Sequence, residues 1–336
     1  MGATAPANEK GLQLSWKERL SVIRGNRYFL TIFPFVALFL IIIIFGLTTE
    51  GRFFRPTVLT GILSQAIIIG TCATGVAFIY SNGNLDISIG SVLGMAATFG
   101  AIAYNATGSI PVLIFVSVGA AVALMAFNCT MSVVFNVKTI TVAIVVTQIY
   151  NAITTLIIGG SGKIEINSVT SAALNNGGFR FIAFFIYFAI CVLIFHRTKV
   201  GRTLRFLGGN EKCAKQTGMS NKKATYISFL IAGAGVGLAA VFSIINVSAV
   251  SVETGNGLGM DVMLATVLGG MSIFGGSRSN AYSGLIGALT VAALNKGLLM
   301  VGISAAIIQA IRGIIFLFLV FLNSERQDLL PSRMQF

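Results

Sequence analysis

Asp86-Ile-Ser-Ile-Gly-Ser-Val-Leu-Gly94, running on to Phe99-Gly100, returns 175 residues later as Asp261-Val-Met-Leu-Ala-Thr-Val-Leu-Gly269, running on to Phe274-Gly275. Asp, Val, Leu, Gly, Phe and Gly fall at equal offsets, six identities in fifteen positions. The surrounding sequence decides what the repeat means. Each copy sits in one of ten apolar runs, over 28–48, 58–80, 85–105, 110–135, 140–159, 180–195, 224–248, 258–274, 281–300 and 304–323. About 20 mostly apolar residues cross the roughly 30 Å of bilayer hydrocarbon as a helix. The copies occupy the third and eighth runs, and an offset of five crossings reverses the direction in which the repeated element passes the bilayer. The expected fold is an all-α integral membrane protein of about ten transmembrane helices within 28–323, in two inverted-topology halves, 28–159 and 180–323, as in transporters. The sixth and eighth runs are short, so either could be a tilted, broken or re-entrant piece, tolerated where irregular backbone lines a cavity.

Composition points the same way. Of the 336 residues, 55% are hydrophobic and 10% charged, against about a quarter charged in an ordinary soluble domain. A net charge of +13 would serve nucleic acid only on a solvated basic face, and no such domain is visible. The charge instead reads as topology. With residue 1 in the cytoplasm, 17 of the 23 Lys and Arg fall on that side and 4 on the other, while Lys296 and Arg312 fall within runs. This bias puts both termini in the cytoplasm. Residues 1–27 are polar and basic, and the run after them has full membrane thickness, so no cleavable signal peptide is expected. Leu12, Leu14, Trp16, Leu20 and Ile23, interleaved with Lys17, Arg19 and Arg24, suit a short cytoplasmic amphipathic helix on the membrane interface or an unstructured tail. Residues 324–336 form a cytoplasmic tail in this reading.

Several chemistries are excluded. Cys72, Cys129, Cys191 and Cys213 are far apart and form no disulfide frame or CxxC pair. His196 is the one histidine, which rules out a His-rich metal site. Gly159-Gly-Ser-Gly-Lys163 is followed by Ile164 where a P-loop needs Ser or Thr for magnesium, and Gly233-Ala-Gly-Val-Gly237 lies inside an apolar run with no strand before it. No cofactor site of this chain's own is expected.

The candidate functional residues are few. Asp86 and Asp261 each follow a Gly/Asn-rich stretch and open a helix, where a carboxylate at a hydrated span end can cap exposed N–H groups. A proton or cation relay is the sharper reading, since intramembrane acids are costly. Arg312, with Gln309 one turn earlier, needs a partner, water, a route to the boundary or a place on the pathway. Gln65, Asn128, Gln148 and Asn151 can tie helices together or serve a hydroxyl-rich solute. The stretch 196–223 carries eight Lys and Arg. Short helices over 203–206 and 211–217, broken by Gly208-Gly209 and ended by Gly218, are expected there. That is more structure than a charge anchor requires, and it suggests docking to another protein.

Three ordered segments carry a family likeness: Asn84-Leu-Asp-Ile-Ser-Ile-Gly-Ser91; Gly201-Arg-Thr-Leu-Arg-Phe-Leu-Gly-Gly-Asn-Glu211 with Ala214 and Gly218; and Gly259-Met-Asp-Val-Met-Leu-Ala-Thr-Val-Leu-Gly-Gly270 with Phe274-Gly-Gly276. Over about residues 30–323 the chain resembles the permease subunits of ribose-type and other simple-sugar ABC importers. The resemblance implies a subunit of a dimeric pore, homodimeric or paired with a paralogue, in the bacterial inner membrane. It implies a separate ATPase subunit below, binding ATP and magnesium, and an extracytoplasmic binding protein that delivers a monosaccharide or similar polyhydroxy solute. It assigns Arg205, Gly209, Asn210, Glu211, Ala214 and Gly218 to the ATPase-coupling element, and Asn84, Asp86, Ser88 and Asp261 to the neighbourhood of the translocation path. Asn128, Gln309 and Arg312 are further path candidates. Asn82-Gly-Asn84 stands where the family has paired glycines, and Met260 where an acid is common. The rival from another class is an ion-coupled secondary transporter of a small polar solute, using Asp86, Asp261 or Arg312.

Overall fold

The computed structural model describes residues 27–167, 178–272, 275–276 and 279–323. Apart from Arg27, the amphipathic segment expected over 1–27 lies outside the described residues, as does the tail 324–336. The described residues form twelve α-helices: α1 Arg27–Thr48, α2 Pro56–Ser81, α3 Ile89–Thr107, α4 Ile110–Val134, α5 Thr139–Ile158, α6 Phe179–Arg197, α7 Lys199–Gly209, α8 Glu211–Gln216, α9 Asn221–Val247, α10 Leu258–Leu268, α11 Ser283–Met300 and α12 Ala305–Asn323. Strands β1 (Lys163–Glu165) and β2 (Ala249–Ser251) pair antiparallel, with Ile164 opposite Val250.

Seven helices, α2 to α6, α9 and α11, are long and apolar enough to cross a membrane. Three shorter apolar stretches, Pro34–Thr48, Leu258–Leu268 and Ala305–Phe321, occupy the first, eighth and tenth expected runs. The sixth run is not short: Phe179 and the terminal His196-Arg197 extend it to a helix of 19 residues. The eighth run is broken. α10 has 11 residues, a rise of about 16 Å or half the hydrocarbon thickness. It stops at Gly269-Gly270, where Gly270 takes φ +86°.

In lipid the hydrophobic effect does not sort helices, so close packing of small side chains does. α2, α3, α9 and α11 form the interior, while α4, α5 and α6 wrap around it with Phe115, Leu156 and Leu193 exposed. α9 shows how sequence sets this order. Gly233 and Gly237 share one face, and a Cβ on them would lie 2.8 Å from Val122 Cα and 2.5 Å from Val118 Cα of α4. Gly235, about 200° around the helix, faces the Tyr187 hydroxyl and the Thr71 carbonyl instead. One helix is thus pressed against α4 on one side and against α2 and α6 on the other.

The first repeat copy touches the segment that leads into the second. Ile87 meets Gly259, Gly90 meets Gly255 and Gly94 meets Thr254 through backbone contacts that leave no room for a Cβ. The pairing rises along one segment as it falls along the other, so residues 87–94 and 254–259 pass each other antiparallel. Neither acid is at a hydrated span end, although Asp86 does accept a backbone N–H, that of Ser88, where α3 begins. Asp86 precedes α3 within the irregular stretch 82–88, Asp261 lies in the first turn of α10, and they are only 1% and 4% exposed. The reason is this same antiparallel crossing, which covers both helix starts with backbone.

The stretch 196–223 is more regular than expected. α7 runs unbroken through Gly208-Gly209, and the break falls at Asn210, whose side chain accepts from the Cys213 N–H at 3.1 Å and caps α8. Gly218, at φ +81°, ends the unit as expected. The unit has its own small core, in which Leu204, Leu207 and Ala214 pack with Phe78 of α2, Phe195 of α6, Ala224 of α9 and Ala281.

Candidate functional site

Asp86 is held by its immediate surroundings. Its Oδ1 accepts from the Ser88 N–H at 2.7 Å and the Ser88 hydroxyl at 2.6 Å. Asn128 of α4 donates to Ser88 Oγ at 2.8 Å, and Tyr150 of α5 donates to Asn128 Oδ1 at 2.9 Å. A line of hydrogen bonds therefore joins the start of α3 to α4 and α5, with Ser88 and Asn128 buried. Asn128→Leu keeps the volume but removes the donor to Ser88 Oγ and leaves the Tyr150 hydroxyl only the longer contact with the Leu124 carbonyl. A loss of about 1–3 kcal/mol is expected, read as a lower unfolding midpoint in detergent, with Tyr150→Phe costing less.

Asp261 is held by charge. Arg312 Nη1 of α12 lies 2.8 Å from its Oδ1, with the side chains 12% and 5% exposed. Asn295 of α11 donates to Oδ2 at 3.1 Å. One carboxylate thus ties α10, α11 and α12 together. Arg312 faces inward, so it neither snorkels nor stands alone. Gln309 is exposed one turn away, near the backbone of Gly257.

The basic unit α7–α8 is linked to the interior. Glu211 Oε1 pairs with Lys215 Nζ at 2.8 Å and accepts from Asn221 Nδ2 at 2.7 Å. The Lys215 hydrogen bond, aided by Asn221 and opposed by partial burial, holds the Glu211 carboxyl below the usual carboxylate range. Asn82 donates to Asn221 Oδ1 and to Thr225 Oγ1, both at 3.1 Å, and Asn84 reaches the same Thr225 hydroxyl at 3.5 Å. Gly208 of α7 sits against the Ser81 carbonyl, which accepts from the Gly276 N–H at 3.2 Å. The unit therefore touches the start of the turn that leads to Asp86 directly through Gly208, and reaches Asn82 through Asn221 of α9. At the other end of α9, a cavity of about 680 Å³ opens beside the β1–β2 ribbon, lined by Lys163, Glu165, Ser243, Ser251, Glu253 and Thr254 among others.

Residues 58–320 match the family described as the branched-chain amino acid transport system / permease component. The chain belongs to this family. It is similar to the ribose import permease protein of Escherichia coli (strain K12), 27% identical over 325 residues, covering 91% of this chain and 98% of that one. The ribose import permease protein of Bacillus subtilis (strain 168) is 26% identical, covering 87% and 92%. The galactofuranose transporter permease protein of Escherichia coli (strain K12) is 22% identical, covering 82% of each. No solved structure matches the chain. This permease component is a multi-pass protein of the bacterial inner membrane, of the kind that works with an ATPase and a binding protein.

Within the permease component, the expected path residues divide into two clusters. Asp86, Ser88 and Asn128 come together, as do Asp261 and Arg312, and both sets are built into the packed interior. Asn84 belongs to the turn that meets α9. On the basic unit, Gly209, Asn210, Glu211 and Gly218 are exposed, whereas Ala214 is buried and Arg205 lies over the Phe195 ring at 5.3 Å. Among the described residues, no side-chain hydrogen bond joins Gln148 or Asn151 to another helix, and both face outward on α5. Tyr150, Asn295 and Asn221 escaped the sequence reading, and Asn82 entered it only as a departure from the family's paired glycines. A signal existed for Tyr150, which falls on the helical line Ala143, Val146, Tyr150 and Thr154 that packs inward.

Proposed function

We propose that this chain is the membrane-spanning permease subunit of an ABC importer for a monosaccharide or similar polyhydroxy solute. In this reading it has about ten spans in two inverted halves with both termini in the cytoplasm, and it forms the passage with a second permease subunit, a copy or a paralogue. The observation that carries the reading is the basic unit α7–α8, helical, capped and seated on its own core at the start of α9. Such a unit suits a partner that pushes. A separate ATPase, holding ATP and magnesium, would dock there. The binding protein would deliver solute at the opposite end, beside the ribbon and its cavity. Relatives named for ribose and galactofuranose support the solute class. The permease itself makes and breaks no bonds. Its two conformations respond to a motion of α8 passed through Asn221 and Asn82 to the 82–88 turn. Pairing of Asp261 with Arg312 counts against an ion-coupled carrier, because each neutralises the other.

Glu211→Arg tests the coupling role. The side chain is about half exposed, so little stability depends on its surface ion pair. In membrane vesicles holding the whole transporter, ATP hydrolysis is expected to continue while uptake from a panel of radiolabelled pentoses and hexoses falls to background. The unfolding midpoint should stay at the parental value. Uptake at the parental rate would remove Glu211 from the coupling element, and uptake by the parent without ATP hydrolysis would overturn the importer reading itself.

A further inference from the structure

The outer faces of the peripheral helices differ in one respect. On α4 the exposed side chains include Phe115, Phe127 and Val134, and on α6 they include Ile182, Phe185 and Leu193, as lipid requires. On α5, Thr141, Gln148, Asn151 and Thr155 are all exposed, beside the exposed apolar Ile144, Val145, Ile149 and Leu156. Thr141, Gln148 and Thr155 recur every seven residues, which keeps them within about 40° of one line, and Asn151 stands beside it. The seam is about 21 Å long, most of the roughly 30 Å of hydrocarbon. Its orientation is fixed from behind, because Tyr150 on the opposite face is hydrogen-bonded to Asn128. Amide groups left in lipid without partners are strongly disfavoured, so such a seam needs water or another polar surface in front of it. The interior clusters, by contrast, are packed shut: Ser88, Asn128 and Asp261 are 0%, 2% and 4% exposed.

We propose that the α5 seam, and not the buried carboxylate clusters, lines the solute passage, facing the same seam of a second copy of this chain across a two-fold axis. The proposal rests on the transport reading above and adds where the passage runs. Its chemistry fits the solute class. Thr141, Gln148 and Asn151 can both donate and accept hydrogen bonds, Thr155 offers its oxygen as an acceptor while its hydroxyl donates to the Asn151 carbonyl, and α5 carries no charged residue from Thr139 to Ile158. A neutral, hydroxyl-rich solute can exchange partners along such a surface, whereas an ion would meet no counter-charge.

Thiol accessibility in the complete transporter tests it. Gln148→Cys and Thr155→Cys on the seam are compared with Ile190→Cys on the exposed apolar face of α6, using a charged, membrane-impermeant methanethiosulfonate reagent on vesicles and counting labelled peptides. The native Cys213, exposed on α8, serves as the water-facing reference, and Cys72, Cys129 and Cys191 are buried. The seam thiols are expected to react at least tenfold faster than Ile190→Cys, and oxidation should link two permease chains through Gln148→Cys but not through Ile190→Cys. Seam thiols that react no faster than Ile190→Cys, while a lipid-soluble maleimide reaches both, would overturn the proposal. In a second arm, Gln148→Leu combined with Asn151→Leu should lower ATP-driven sugar uptake at least tenfold at a parental unfolding midpoint. Parental uptake by that variant would overturn the seam alone, whereas ATP-independent uptake by the unmodified transporter would overturn the transport reading instead.

Discussion

Arg312→Met should cost about 3–5 kcal/mol, the usual penalty for removing one partner of a buried ion pair. The substitution keeps a long side chain in the same space but leaves Asp261, 5% exposed at its side chain, with the Asn295 amide as its remaining donor. An ionised carboxylate cannot stay there without a cation, so the start of α10 must either take up a proton or open. α12 would then lose its ionic tie to the bundle. The expected readouts are a markedly lower unfolding midpoint in detergent and reduced accumulation in the membrane. Adding Asp261→Asn to Arg312→Met removes both charges together and should recover most of the loss, since replacing a whole buried pair is often close to neutral. A double-mutant cycle without a coupling term of at least about 1 kcal/mol would mean that the pair is not a structural tie.

That pair also shows what the sequence could and could not convey. Seven of the ten apolar runs were legible as helices long enough to cross because bilayer thickness imposes a length on a crossing, and the repeat was legible because its residues recur at fixed offsets. Which acid meets which base was not, because Asp261 and Arg312 are joined only when α10 folds back along α11 and α12. The burial of Asp86 was hidden for a similar reason. Its neighbours Ser81-Asn82-Gly83-Asn84 read as a surface turn, yet the turn is enclosed by α9 through Thr225 and by α7 through Gly208. Exposure on a peripheral helix is equally silent, since the outward faces of α4 and α6 are apolar throughout the span. Only on α5, where Tyr150 and Gln148 point opposite ways, does the choice of face change the function.

Gly237→Leu is the second substitution with a large expected effect, and it tests the packing order that places α5 outside and α9 inside. A Cβ at Gly237 would lie 2.5 Å from Val118 Cα, 3.1 Å from the Ser117 carbonyl oxygen and 3.2 Å from Ala121 Cβ. Two of those atoms are backbone, so no rotamer change can make room and α4 must move away from α9. Overpacking of this kind costs about 3 kcal/mol or more when backbone has to shift. Displacing α4 would also carry Asn128 away from Ser88, breaking the line of hydrogen bonds to Tyr150 that fixes the rotation of α5. Gly119→Leu on α4 is the matched control: nothing lies within 4 Å of its added Cβ, and losing a helical glycine is favourable by up to about 1 kcal/mol. Gly237→Leu should therefore leave little folded protein in the membrane while Gly119→Leu accumulates at least as well as the parent. If both accumulate and transport alike, the close approach of α9 to α4 is not what holds the α5 seam in place.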